Sequence, residues 1–183
     1  MDTKALFVVL LVAGVIGGFA INGSVSNDDS TELDTNESSQ KNGPVSVGSQ
    51  APDFLLTDPD GNDFNISDFE GEKVVVLEFM NLGCGTCKNF ENDVLKNYYN
   101  DTRPEDVEVF SITQTKYVNE TTLAERGENM GWKFIKGSSE MTDAYDANRS
   151  PTVVIIDKGG VITYLNSGSM SISDLEDKVN SAI

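Results

Sequence analysis

The sequence predicts an α/β sandwich, a central mixed sheet flanked by helices, with a β-hairpin preceding it. Three observations carry this. "KVVVLEFM" (73–80), "VEVFSIT" (107–113) and "PTVVIID" (151–157) are continuous apolar, β-branched runs, as strands buried on both faces require. A helix-compatible segment joins the first run to the second, so those two strands run parallel through a crossover. The last run meets "VITYLN" (161–166) across Lys158-Gly159-Gly160, a hairpin spacing that makes an antiparallel pair at one edge.

Taken in order, "FLLTDPDGNDFNI" (54–66) reads as two short strands around Asp58-Pro59-Asp60-Gly61. Strand 73–80 leads into a helix that runs to about Asn100 and closes at "NDTRPED". After strand 107–113 come a helical segment over about 119–130 and a short apolar piece, Trp132–Ile135. "SISDLEDKVNSAI" ends the chain as an amphipathic helix capped near Ser171 or Ser173. No internal repeat is visible.

Residues 45–183 make up the folded domain, and two segments precede it. Ala5–Ile21 is uncharged and apolar, and its 17 residues would span roughly 25 Å as helix, the short end of what a bilayer needs. Residues 1–21 therefore read as a signal anchor; Gly18-Phe19-Ala20 offers a small-x-small cleavage pattern, and cleavage there would make the protein secreted. Residues 22–44, rich in Ser, Asn, Asp and Glu, cannot bury enough surface to offset ordering and read as a flexible acidic tether. Lys4 on one side and five acids against Lys41 on the other place the domain on the extracytoplasmic side. Asn-x-Ser/Thr triplets begin at Asn22, Asn36, Asn65, Asn100, Asn119 and Asn148, which suits an exported chain but arises readily in such compositions.

Charge and composition exclude several functions. The chain holds 30 acids and 13 bases, a formal charge of −17; six acids and two bases precede Val45, which leaves the domain at −13. A nucleic-acid surface needs clustered Lys and Arg, so none is expected. There is no histidine, which removes His general acid–base chemistry, Ser–His and Cys–His nucleophile pairs and His-containing metal sites.

What remains is "MNLGCGTCKNF" (80–90), which holds the chain's two cysteines, Cys84 and Cys87. A bridge of this spacing closes almost the shortest available loop and adds little stability, so structure alone does not explain it. Cys84 falls at or before a helix N-cap, where unpaired N–H groups and the helix dipole favour a thiolate. Cys87, Phe90 or Glu91, Val94 and Tyr98 follow at helical steps; with Phe90, Val94 and Tyr98 turned inward, Cys87 lies at the buried edge. An exposed Cys84 thiolate would attack a disulfide and a shielded Cys87 would resolve the mixed disulfide. The redox group is then the Cys84–Cys87 pair itself, without a bound cofactor. Zinc would need ligands from carboxylates or a second molecule, and inert buried thiols sit badly with Gly83 and Gly85 at a helix start.

"SQAPDFLLTDPDGNDFNISDFEGEKVVVLEFMNLGCGTC" closely resembles the opening of the thioredoxin-fold TlpA-like disulfide reductases and their peroxiredoxin relatives. The shared features are Ala51-Pro52-Asp53-Phe54, the Asp-x-x-Gly turn at 58–61, Ser67-Asp68-Phe69-x-Gly71, the buried strand and C-x-x-C. Ser150-Pro151-Thr152 before "VVIIDKGGVITY" resembles the family's cis-proline loop and edge hairpin, so the likeness covers about 45–183. It implies a thioredoxin-like fold, a cis Pro151 beside the cysteines and a Ser150 backbone that pairs with a substrate strand; sequence alone also accommodates a trans proline opening a strand. It implies that Glu78, six residues before Cys84, is a buried carboxylate able to accept the Cys87 proton; the alternative is a surface-facing or paired Glu. The expected partners are disulfide-bearing exported proteins, including apocytochromes before haem attachment, and a membrane protein that donates or accepts electrons.

The sequence departs from the family in three places. Gly83 replaces the usual Trp before the first cysteine, the intervening dipeptide is Gly85-Thr86, and the acid common three residues after the second cysteine is replaced by Phe90, with Glu91 next. These positions set thiolate stability, so a dithiol oxidant stands beside the reductase as an alternative. A peroxidase would need a Pro-x-x-x-Ser/Thr-x-x-Cys pattern, and "LEFMNLGC" has no proline. A copper-binding metallochaperone would be expected to add a histidine to its thiols; Met80, Met130 and Met141 read as core packing.

Overall fold

The computed structural model describes residues 45–183; the expected anchor (1–21) and tether (22–44) lie outside the described residues. Five strands form the main sheet in the order β5-β4-β3-β6-β7. They are β3 (Val74–Met80), β4 (Val107–Thr113), β5 (Lys133–Lys136), β6 (Thr152–Ile156) and β7 (Ile162–Ser167). β3 and β4 are parallel, as are β4 and β5, whereas β6 runs antiparallel to β3 and β7. Ahead of the sheet, β1 (Leu55–Thr57) and β2 (Asp63–Asn65) form a separate two-stranded hairpin. The fold is thioredoxin-like: a mixed sheet with helices on both faces.

Strand alternation divides the core. Val74, Val76 and Met80 of β3 join Cys87, Phe90, Leu95 and Tyr98 on one face, and Val75, Leu77 and Phe79 join Met141 and Tyr145 on the other. All seven β3 residues are buried, as the apolar run predicts for a central strand. Each such aliphatic or aromatic side chain contributes about 1.5–3 kcal/mol relative to exposure.

The helices are α1 (Gly85–Phe90), α2 (Glu120–Met130), α3 (Ser139–Ala144) and, after the last strand, α4 (Ile172–Asn180). Asn119, Ser138 and Ser171 cap the last three through side-chain oxygens. α2 ends at Gly131, whose φ of +101° a side chain would strain. Gly127 lets α2 approach β5, since a Cβ there would lie 2.9 Å from the Trp132 carbonyl oxygen.

Three features differ from the sequence reading. The apolar piece at Trp132–Ile135 is an edge strand, Lys133–Lys136, paired in parallel with β4. α3 is an additional helix whose one turn and a half buries little beyond Met141, too short for a periodic signal. The helix after the cysteines is not uniform: wide π-type turns at Glu91–Leu95 and Tyr98–Thr102 follow α1, with Lys96 N–H donating to Glu91 O and Arg103 N–H to Tyr98 O. These turns shift the buried face, so Leu95 rather than Val94 occupies the core and Phe90 and Glu91 are both buried.

Candidate active site

β3 delivers the cysteines to the C-terminal edge of the parallel strands. Met80 ends the strand, Cys84 N–H donates to Asn81 O at 2.9 Å, and Cys84 becomes the N-cap of α1. The two cysteines form a disulfide with Cα atoms 5.3 Å apart. The sulfurs are unequal. Cys87 is wholly buried, whereas Cys84 is half-buried and its Sγ accepts the Cys87 N–H at 3.0 Å. On reduction that N–H is positioned to stabilise negative charge on Cys84.

The Ser150–Pro151 peptide is cis. The Ser150 carbonyl oxygen lies 3.6 Å from Cys84 Sγ, so this loop forms one wall beside the exposed sulfur. Ser150 Oγ accepts from Asn81 Nδ2 at 2.9 Å and donates to Gln114 Oε1 at 3.0 Å, and Gln114 Nε2 reaches Ala147 O. Thr115 Oγ1 accepts the Leu82 N–H at 3.1 Å. The ends of β3 and β4 thus hold the proline loop and the cysteine turn together. Neither the N–H nor the C=O of Ser150 pairs with another main-chain group among the described residues.

Glu78 shares a strand face with Val76 and Met80 and so points toward the core that contains Cys87. It has no exposed surface. Its Oε2 accepts from Ser111 Oγ at 2.6 Å, and Ser111 Oγ in turn accepts from Trp132 Nε1 at 2.9 Å; Glu78 and Ser111 are register partners on β3 and β4. Glu78 Oε1 has no partner among the described residues. Burial, followed by the nearby Glu91 carboxylate, pushes the Glu78 pKa well above the ordinary range, against the Ser111 hydrogen bond and the Arg126 charge.

The sequence marks Glu91 only as the nearest acid to a position where relatives carry one. The wide turn after Phe90 turns it inward, wholly buried, with Oε2 paired to the Arg126 guanidinium from α2 and Oε1 unpartnered. Desolvation raises its pKa, opposed by Arg126 and by Lys88. Ser111, Trp132, Arg126, Asn81 and Gln114 carry no local signal, because strand pairing and crossover packing bring them in. Two carboxylates and one guanidinium in one low-dielectric layer beneath Cys87 favour a single proton held on Glu78, with Glu91 the ionised partner of Arg126. Among the described residues no cluster of three His, Cys, Asp or Glu is arranged to hold a metal ion.

Residues 46–180 match the redoxin family. The chain is 32% identical over 142 residues to the thiol-disulfide oxidoreductase ResA of Geobacillus kaustophilus, covering 75% of this chain and 78% of that protein. It is 30% identical over 141 residues to ResA of Bacillus subtilis, covering 74% and 75%. Among solved structures, the thioredoxin domain of a thiol-disulfide oxidoreductase from Bacteroides vulgatus superposes with a TM-score of 0.62 at 20% identity, over 74% of this chain and 99% of that one. StoA from Bacillus subtilis gives 0.58 at 17% identity, over 70% and 96%.

Proposed function

The chain belongs to the redoxin family and is a thioredoxin-type thiol–disulfide oxidoreductase, and from that premise we propose that it reduces disulfides of exported proteins on the extracytoplasmic side of a membrane. The observation that carries the reading is the inequality of the two sulfurs: Cys84 half-buried at the helix start, Cys87 enclosed.

In the reduced state Cys84 attacks a substrate disulfide, forming a mixed disulfide and releasing one substrate thiolate. Cys87 then attacks Cys84 Sγ, the second substrate thiol leaves, and the Cys84–Cys87 bond re-forms. Glu78, in its ionised form, takes the Cys87 proton from the same core layer, so resolution quickens as pH rises toward the raised Glu78 pKa. The unpaired main chain of Ser150, before cis-Pro151, offers hydrogen bonds to an extended substrate segment beside Cys84. Residues 5–21 hold the protein at the membrane, and a membrane electron donor recharges the dithiol.

The test of direction is the equilibrium potential of Cys84–Cys87 in thiol buffers, read by alkylation. A value near or below roughly −250 mV is expected of a reductase, and one near roughly −120 mV would reverse the direction to disulfide donation. Cys87→Ser should accumulate mixed disulfides through Cys84. Accumulation through Cys87 in Cys84→Ser instead would overturn the assignment of nucleophile and resolving thiol.

A further inference from the structure

The domain's 11 bases are not distributed evenly with respect to its 24 acids. Lys73, Arg126, Lys133 and Lys158 are held in ion pairs. Arg103 and Lys178 lie over the rings of Tyr99 and Tyr164, and Lys96 reaches the Asn129 side chain. None of these three, nor Lys88, Lys116, Lys136 and Arg149, meets a carboxylate at ion-pair distance among the described residues, and the last four are exposed.

All four belong to the edge of the molecule that carries the disulfide. Lys88 follows Cys87 on α1, Arg149 precedes Ser150, Lys116 stands just beyond the C-terminal end of β4, and Lys136 ends β5. Lys116 and Lys136 line an open polar cleft of about 680 Å³, whose walls include Asn81 and Gln114, the side chains bonded to Ser150. One acid, Asp143, shares that lining. Next to Lys116, Tyr117 is 87% exposed, with the Lys116 ammonium 5.6 Å from its ring centroid. An exposed tyrosine beside unpaired cations is the composition of a protein-docking rim.

We propose that this cleft selects protein substrates whose disulfide cysteines are flanked by acidic residues, the flanking carboxylates lying on Lys116 and Lys136 and the disulfide on Cys84. The proposal rests on the thiol–disulfide reading of the site. The geometry gives it a physical reason. A domain at −13 repels acidic chains in general, so the exposed cations at the disulfide-bearing edge, with Lys116 and Lys136 in the cleft, favour their approach in one productive orientation. Cysteines flanked by basic residues gain from the overall field but meet Asp143 alone among the carboxylates lining the cleft.

The exchange itself is balanced. Cys84 thiolate displaces one peptide sulfur, and Cys87 thiolate then releases the other. Two electrons pass from the protein dithiol to the peptide disulfide, and the two protons end on the peptide thiols.

The experiment uses the full-length chain and three peptides, each with one intramolecular disulfide and with Asp/Glu, Ser/Gly or Lys flanks. Reduced protein, freed of reductant, is mixed in single turnover with each disulfide peptide; oxidised protein is mixed with each dithiol peptide, and the preference is read in whichever direction runs. Rates are normalised to those with a small dithiol, or small disulfide, to remove the intrinsic effect of flanking charge on cysteine reactivity. The acidic peptide is expected to react about fivefold faster than the neutral one at low salt, as two exposed ion pairs allow. The advantage should vanish in K116E/K136E and at about 0.5 M salt.

An acidic peptide no faster than the neutral one, a basic peptide that is fastest, or a preference that survives the double charge reversal would overturn the proposal while leaving the oxidoreductase reading intact. Failure of all three peptides in both directions would remove that reading and the proposal with it.

Discussion

Replacing Arg126 with Met should destabilise the domain in a way that depends on pH. Arg126 and Glu91 form a largely buried pair, with side-chain exposures of 19% and 0%, and Glu91 Oε1 already lacks a partner. Met keeps most of the aliphatic volume but strands the Glu91 carboxylate with neither oxygen bonded. Removing one member of such a pair costs about 3–5 kcal/mol when the other would remain charged. Loss of the guanidinium from the Phe134 ring, now 5.1 Å from its centroid, adds about 0.5–1 kcal/mol that does not depend on pH.

The pH dependence comes from Glu91. Its pKa is already raised by burial, and loss of Arg126 raises it further. A carboxyl whose folded pKa exceeds its unfolded value favours the fold below the unfolded pKa and loses that contribution as pH rises toward the folded one. The cost of R126M should therefore be small below the ordinary carboxylate range and grow as pH rises above it. Urea unfolding of the full-length chain across this range measures it, with thermal midpoints falling by roughly 3 °C per kcal/mol. The double variant R126M/E91M should recover most of the loss, because it replaces the pair with apolar volume. A cost below about 1 kcal/mol at pH 8, or no recovery in the double variant, would refute the burial of an ionised Glu91 against Arg126.

Glu78→Gln keeps an acceptor for Ser111 but removes the titrating proton, so resolution of the mixed disulfide should slow by about 10²-fold, measured by stopped-flow fluorescence of Trp132 or by quenched alkylation. The same variant should flatten the decline in stability that a raised Glu78 pKa imposes as pH rises above the ordinary carboxylate range, read by urea titration. Tyr98 carries a buried hydroxyl with no partner and a pKa pushed up to about 12 by desolvation. Tyr98→Phe should therefore be neutral or stabilising by up to about 1–2 kcal/mol, and an ultraviolet pH titration should show one fewer late-ionising tyrosine.

The local physics of the chain is written in its sequence. Continuous β-branched runs fix β3, β4 and β6 as buried strands because nothing else satisfies their backbone while hiding those side chains. The Gly-Gly spacing makes the edge hairpin. The cysteine pair after a buried strand and at a helix start yields the unequal sulfurs, since capping and helical period act over only three or four residues. The likeness to thioredoxin-fold reductases points to Ser150-Pro151 and Glu78 as further candidates; the Ser150–Pro151 peptide is cis and Glu78 is buried.

Tertiary structure decided what no short window contains. That Glu78 is buried rather than solvent-facing depends on β3 being central, which takes β4 on one side and β6 on the other. Glu91 lies next to Phe90 at the edge of the buried face, and the wide turn that follows it leaves both residues inside with Leu95 and Tyr98. Arg126 reaches Glu91 from α2, and Trp132, just before β5, donates to the Ser111 hydroxyl that bonds Glu78, both more than thirty residues along the chain from Cys87. Helix period and capping are near-neighbour effects and are therefore legible in order, whereas desolvation and ion pairing depend on which distant segments close over a group, and only the assembled sheet fixes that.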